Sequence, residues 1–104
     1  MTGYALHPEA FTDLDDIREY IAEDNPDAAD RMITEIFDGI RALVAFPHQG
    51  YRRPNLTSRP LRFKLVRDYV IAYAPEKTPL WVVAIFHGRR SPRVIAAILR
   101  DREQ

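Results

Sequence analysis

His87, Gly88, Arg89 and Arg90 follow seven apolar residues in a row, Leu80 to Phe86. An apolar run of that length, bounded by turn residues, reads as a buried strand. Its end therefore brings an imidazole and two guanidinium groups to the surface, with Arg93 three positions beyond. Upstream, Arg62 and Lys64 alternate with Leu61, Phe63 and Leu65, so both cations share one face of a strand. Arg67 sits beside Asp68 where that strand must turn. A guanidinium fork bonds two oxygens at once, which suits a phosphate or a carboxylate. Two chemistries fit the set. Cleaving a ribose phosphodiester needs a base for the 2′-hydroxyl, an acid for the leaving oxygen, and cations around the phosphorane. His87 has a usable intrinsic pKa, and Arg62, Arg67 and Arg89 can hold the phosphate. A second proton-transfer group is not evident. Tyr69 and Tyr73 flank Ile71 on one strand face, an alternation that reads as a packing surface. The other chemistry is docking, in which the arginines grip an acidic partner while His87 orders the turn with Gly88. Docking is the reading adopted here. No catalytic residue is expected, and His87 is the candidate if the chain is a nuclease.

Other site chemistries find no support. There is no phosphate-binding glycine loop and no His-Glu-x-x-His pattern. His7, His48 and His87 stand far apart, and cysteine is absent, so neither a metal nor a cofactor is expected. Asp13, Asp15, Asp16 and Glu19 read as the solvated face of a helix rather than as an acid–base pair. The zero net charge hides a division: residues 1–50 hold three basic against eleven acidic residues, and residues 51–104 hold twelve basic against four acidic. That polarity points to a partner with a phosphate backbone or an acidic surface, unless the two halves simply attract each other.

The elements that position these groups follow from periodicity. With 104 residues and 46% hydrophobic content, a single domain over 1–104 is expected. A first strand is read at 3–6. Pro8 and Glu9 then suit a helix entry, and Phe11, Leu14, Ile17 and Ile21 give a helix over 8–24. Asn25 can cap a second helix, 26–46, whose stripe is Ala29, Met32, Ile33, Ile36, Phe37, Ile40, Leu43 and Val44. A polar loop follows, then strands at 61–65, 69–74 and 80–86 joined by short turns, which makes them antiparallel neighbours. The last strand is apolar on both faces and should be central or doubly covered. Ser91 and Pro92 can open a closing helix carrying Val94, Ile95, Ile98 and Leu99. The result is an α+β fold, β-α-α-β-β-β-α, with an antiparallel helical hairpin on a mainly antiparallel sheet. The longest apolar runs are too short to span a bilayer. The start shows no basic segment followed by a long apolar core, so a cytoplasmic protein without membrane contact is expected.

Two groups of motifs carry a family resemblance. The first is His7-Pro8-Glu9-Ala10, Asp13-Leu14, Ile17, Tyr20-Ile21, Asn25-Pro26, Ala28-Ala29, Arg31, Ile36, Ile40, Leu43, Phe46-Pro47 and Gly50. The second is Arg67, Tyr69-Val70-Ile71-Ala72-Tyr73 and His87-Gly88-Arg89-Arg90. In order and spacing these resemble the ParE branch of the RelE/ParE toxin superfamily, from Tyr4 to about Ile98. His7 departs from the usual serine or threonine cap, and the C-terminal helix is bulkier. The resemblance implies the fold above and the toxin role of a type II toxin–antitoxin module, neutralised by a cognate antitoxin. ParE-type members poison DNA gyrase, whereas RelE-type relatives cut mRNA on the ribosome. Ribosome-bound relatives are generally strongly basic, as binding to rRNA favours, and this chain is neutral overall. Gyrase is therefore the expected target. Alternatives are the mRNA endonuclease and a non-toxic homologue that only binds antitoxin. Target or antitoxin contacts are expected at Arg62, Lys64, Arg67, His87, Arg89, Arg90 and Arg93. The wide second stripe and the doubly apolar last strand are expected to leave apolar surface open for the antitoxin. That segment is expected to be amphipathic, acidic near Arg62, Lys64 or Arg89, and to fold on binding as a helix or an added strand.

Overall fold

The structure is a computed structural model that describes residues 3–102; the two outermost positions of the expected domain at each end lie outside the described residues. Its elements run β1 (Tyr4–Leu6), α1 (Pro8–Ala22), α2 (Pro26–Ala45), β2 (Arg62–Val66), β3 (Tyr69–Ala74), β4 (Leu80–His87) and α3 (Pro92–Asp101). The α+β order is the one read from the sequence. One sheet holds the strands in the order β1-β4-β3-β2. β2, β3 and β4 are antiparallel neighbours, while β1 joins β4 in parallel, with Leu6 opposite Val82. Local spacing does not foretell that parallel pair, because its two strands are separated by most of the chain.

Both helix entries are built by side chains. Asn25 accepts a hydrogen bond from Ala28 N at 3.0 Å, with Pro26 at the first helical position. At α1 the imidazole replaces the usual hydroxyl, since His7 Nδ1 accepts from Glu9 N at 3.0 Å and the ring is buried against Trp81. Ser91 occupies the cap position of α3 but makes no side-chain capping bond, contrary to expectation.

The hairpin covers one sheet face. Leu14, Ile17, Ile33, Ile36 and Ile40 meet Ile71, Tyr73, Val82 and Ile85 in a first core. The α2 stripe falls as read, with Phe37 and Val44 at its partly buried margin. On α1 the buried arc begins at Ala10, and Phe11, one residue further round the helix, is 54% exposed. The opposite face is also closed. Ile95 and Leu99 of α3, with Leu56 and Leu61 of the loop, cover Val70, Val83 and Phe86 in a second core. The expected open surface on β4 is therefore absent, because this second layer comes from the chain itself. Apolar exposure falls elsewhere, on Phe11 and Tyr20 of α1 and on Leu65 of edge strand β2.

The long loop is pinned rather than loose. Tyr73 Oη donates to Pro47 O at 2.7 Å and accepts from Gly50 N at 3.0 Å. A Cβ at Gly50 would lie 2.5 Å from that oxygen and 2.8 Å from Phe63 O, so glycine is required there. Tyr51 and Phe63 exchange backbone hydrogen bonds beside it. Arg59 donates to Leu99 O and Arg102 O and ties the loop to the end of α3.

Candidate functional site

β4 ends where the first core meets solvent, and the turn beyond it is held by hydrogen bonds from three directions. His87 Nδ1 accepts from Arg89 N at 3.0 Å, and His87 O accepts from Arg90 N at 3.0 Å. Gly88 N donates to Asp68 O at 2.8 Å, which fastens the turn to the β2–β3 hairpin tip. A Cβ at Gly88 would sit 3.3 Å from the same carbonyl, so the close approach favours glycine. The His87 ring stands edge-on to Tyr69, with centroids 5.2 Å apart. In the neutral imidazole, an Nδ1 that accepts places the proton on Nε2.

An open groove of about 510 Å³ runs between this turn and α1. His87, Arg89 and Arg90 form one wall, Asp13, Asp16 and Tyr20 the other, and Ile17, Tyr69 and Ile85 contribute to its floor. Tyr20 is 72% exposed. Tyr69 is buried, and that burial raises its phenol above the usual tyrosine value. Among the described residues, Arg89, Arg90 and Asp16 form no ion pair, with one another or with anything else.

The other cations read from the sequence lie outside this groove. Arg62 donates to Gly50 O at 2.8 Å and to His48 O at 3.5 Å, so it holds the loop. Lys64 is half-buried, two residues along the same edge strand. Arg67 has a positive φ at the hairpin tip and bonds Glu35, which raises its pKa. Arg93 is exposed in the first turn of α3. The seven positions thus divide: three line one wall, and four stand apart.

Sequence reasoning missed how that wall is built. Asp13 is not on a solvated surface; its side chain is 15% exposed and Oδ2 accepts from Ile85 N at 3.0 Å. It also receives both terminal nitrogens of Arg102, at 2.6 Å and 3.0 Å. Arg102, whose side chain is 9% exposed, donates further to Val83 O. β1 pairs only Leu80–Val82 of β4, so beyond it these two side chains occupy the strand's outer edge. A signal existed: Asp13 falls inside the arc of Ala10, Leu14 and Ile17, and Arg102 follows Leu99 by three residues. Asp15, Asp16 and Glu19 are exposed as expected.

Of the three histidines, His7 caps α1, His48 bonds Glu76 at 3.0 Å, and His87 orders the turn. No cluster of three metal-type ligands, and no helix long and apolar enough to cross a membrane, occurs among the described residues. A candidate toxin of Sinorhizobium fredii is 38% identical over 66 residues, and the chain spans about 60% of the length of that relative while 64% of the chain is matched. A family model described as the ParE toxin of the type II toxin–antitoxin system parDE matches residues 4–92. That match takes in the hairpin, the whole sheet and the His87–Arg90 turn, and the chain belongs to the ParE toxin family.

Proposed function

We propose that this chain is a toxin that binds DNA gyrase, stabilises cleaved DNA, and is neutralised by a cognate antitoxin. The unpaired state of Arg89 and Arg90 on a hydrogen-bonded turn carries the reading. Two guanidinium groups carried on a fixed backbone and without internal partners have no bond to give up on meeting an acidic surface, and each can form forked contacts. Arg93 adds an exposed cation three positions further on, in the first turn of α3. The imidazole beside them is poorly set for proton abstraction. With Nδ1 accepting from Arg89 N, the neutral ring has no nitrogen free to take a proton. The test is DNA supercoiling by gyrase from the native host, titrated with the purified chain. Supercoiling should fall and cleaved DNA accumulate; unchanged supercoiling at high excess removes the reading.

A second reading has one observation in its favour. Asp16, Tyr20 and Tyr69 share the groove with His87, so proton-transfer groups do stand near it. An mRNA endonuclease would stop protein synthesis before any sign of DNA damage in arrested cells, whereas a gyrase poison produces filaments with DNA-damage signalling first. A non-toxic antitoxin-binding homologue would arrest nothing when expressed alone.

A further inference from the structure

The two layers that cover the sheet carry opposite charge. The hairpin layer, 8–45, holds eleven carboxylates against three arginines. The layer on the other face is built by the long loop and α3. Over 51–60 and 92–102 it holds six arginines against one carboxylate, Asp101. Arg102 turns inward to Asp13, which leaves five guanidinium groups for this face. Two adjoining cavities of about 270 Å³ and 150 Å³ lie here and share Thr57, Ser58 and Arg59. Arg100 lines the first, Arg52 and Arg53 line the second, and neither is lined by a carboxylate or an aromatic ring. Donors are left over in both. Arg52 and Arg100 are exposed and make no hydrogen bond or ion pair among the described residues. Arg53 spends only Nε, on Asn55, and Arg59 only Nη1, on Leu99 O and Arg102 O. Thr57 Oγ1 accepts from Arg59 N at 3.1 Å, so its O–H remains to donate. Guanidinium forks and a hydroxyl without a neighbouring acceptor suit an anion with several oxygens, above all phosphate. Single strands are gripped by stacking their bases on aromatic rings, and these cavities have none. What remains is the outer surface of a duplex, which offers phosphates and keeps its bases inside.

We infer that the face built by the long loop and α3 is a phosphate-backbone surface that lies on duplex DNA. Arg52 and Arg100, one at each cavity, meet phosphates, and Arg53 and Thr57 add donors beside them. Contacts of this kind fix position and orientation without reading sequence. The acidic hairpin layer repels the same backbone, so only the α3 face turns toward DNA. Naming DNA rather than RNA rests on the gyrase reading above, which sets the chain beside a cleaved duplex. The phosphate surface itself rests on the charge and the cavities alone.

The test uses the full chain, without gyrase, and a short fluorescent DNA duplex followed by anisotropy over a range of salt. Binding should weaken as salt rises, and the Arg52→Ala/Arg100→Ala pair should lower the salt slope by about two. Arg52→Glu with Arg100→Glu should weaken binding roughly tenfold or more at low salt. Arg31→Glu with Arg41→Glu makes the same change of net charge on exposed positions of the hairpin layer, and should stay within about twofold. Circular dichroism checks that all variants fold. Equal loss in both charge-reversed pairs overturns the inference, since net charge alone would then explain binding. Loss on Arg89→Glu with the Arg52/Arg100 pair unchanged also overturns it, by moving DNA to the turn after β4. Duplex RNA bound more tightly than DNA reassigns the surface to RNA and overturns the inference. Calorimetric binding of inorganic pyrophosphate by a chain that ignores the duplex does the same, and leaves the cavities to a small anion. The gyrase reading fails separately. A chain that inhibits supercoiling yet binds no duplex overturns only the inference, and one that binds duplex yet spares supercoiling overturns only the gyrase reading.

Discussion

One nitrogen of His87 separates docking from catalysis. Nδ1 accepts from Arg89 N, so the ring's visible work is to shape the backbone that presents two arginines. His87→Ala should then reduce toxicity only severalfold, whereas loss of a general acid or base typically costs roughly 10²–10⁴-fold. Arg89→Glu should hurt more, because reversal adds repulsion to a lost forked contact. Titrated expression of both variants, with folding checked by circular dichroism, decides the matter. An inert but folded His87→Ala beside a fully toxic Arg89→Glu would restore the nuclease. Tyr73 offers a separate test, on the same sheet face and further along β3. Burial raises its phenol above the ordinary value of 10.0, ahead of the Gly50 hydrogen bond that lowers it. The folded chain therefore holds this proton more tightly than the unfolded one. That contribution is complete below about pH 10 and is lost as pH rises through the folded value. Tyr73→Phe should lower stability by about 2 kcal/mol near neutrality, through two lost hydrogen bonds, and flatten the alkaline decline; urea unfolding across pH reads both. At this scale the sequence was only partly legible. Tyr69, Ile71 and Tyr73 did read as a packing face, and Asn25 as a cap. Asp13 did not read as structural, because its partners lie 72 and 89 residues away, beyond any local pattern.

Elements were legible where periodicity is local. The α2 stripe and the three antiparallel strands fall out of spacing alone, since each depends on neighbours a few residues apart. β1's parallel partner and the second layer under α3 depend on chain returns that no spacing encodes. The second layer is fastened at one point. Asp13 of α1 and Arg102 just past α3 join across the outer edge of β4, although their helices cover opposite sheet faces. The hydrogen bond to Asp13 is the main reason the Arg102 pKa is raised. Removing one partner of a nearly buried pair leaves an uncompensated charge, so Arg102→Ala should cost about 3–5 kcal/mol in urea unfolding. Lys at the same position should recover only part of this, since an ammonium cannot span both carboxylate oxygens and Val83 O. Equal stability of all three proteins would mean that α3 is held without this clamp, by Ile95, Leu99 and the Arg59 hydrogen bonds.

Across the whole molecule, the acidic and basic halves do attract, through Glu35 with Arg67 and Asp13 with Arg102. Those pairs account for only part of the basic excess. Arg89, Arg90 and Arg93 have no internal partner among the described residues, so attraction between the halves explains only part of the charge division. The groove joins residues from α1, β3, β4 and the turn beyond, which explains why sequence order scattered its wall while topology collected it. The Asp13–Arg102 clamp also sets a timetable for synthesis. A chain growing at roughly 5–20 residues per second releases the hairpin several seconds before position 102. During that interval the α1 wall has no guanidinium to lock it, β1 has no partner, and the hairpin's apolar stripe has no sheet. A nascent chain stalled short of Arg102 therefore lacks the finished groove, and whatever that surface does in the cell begins only after the last turn has left the ribosome.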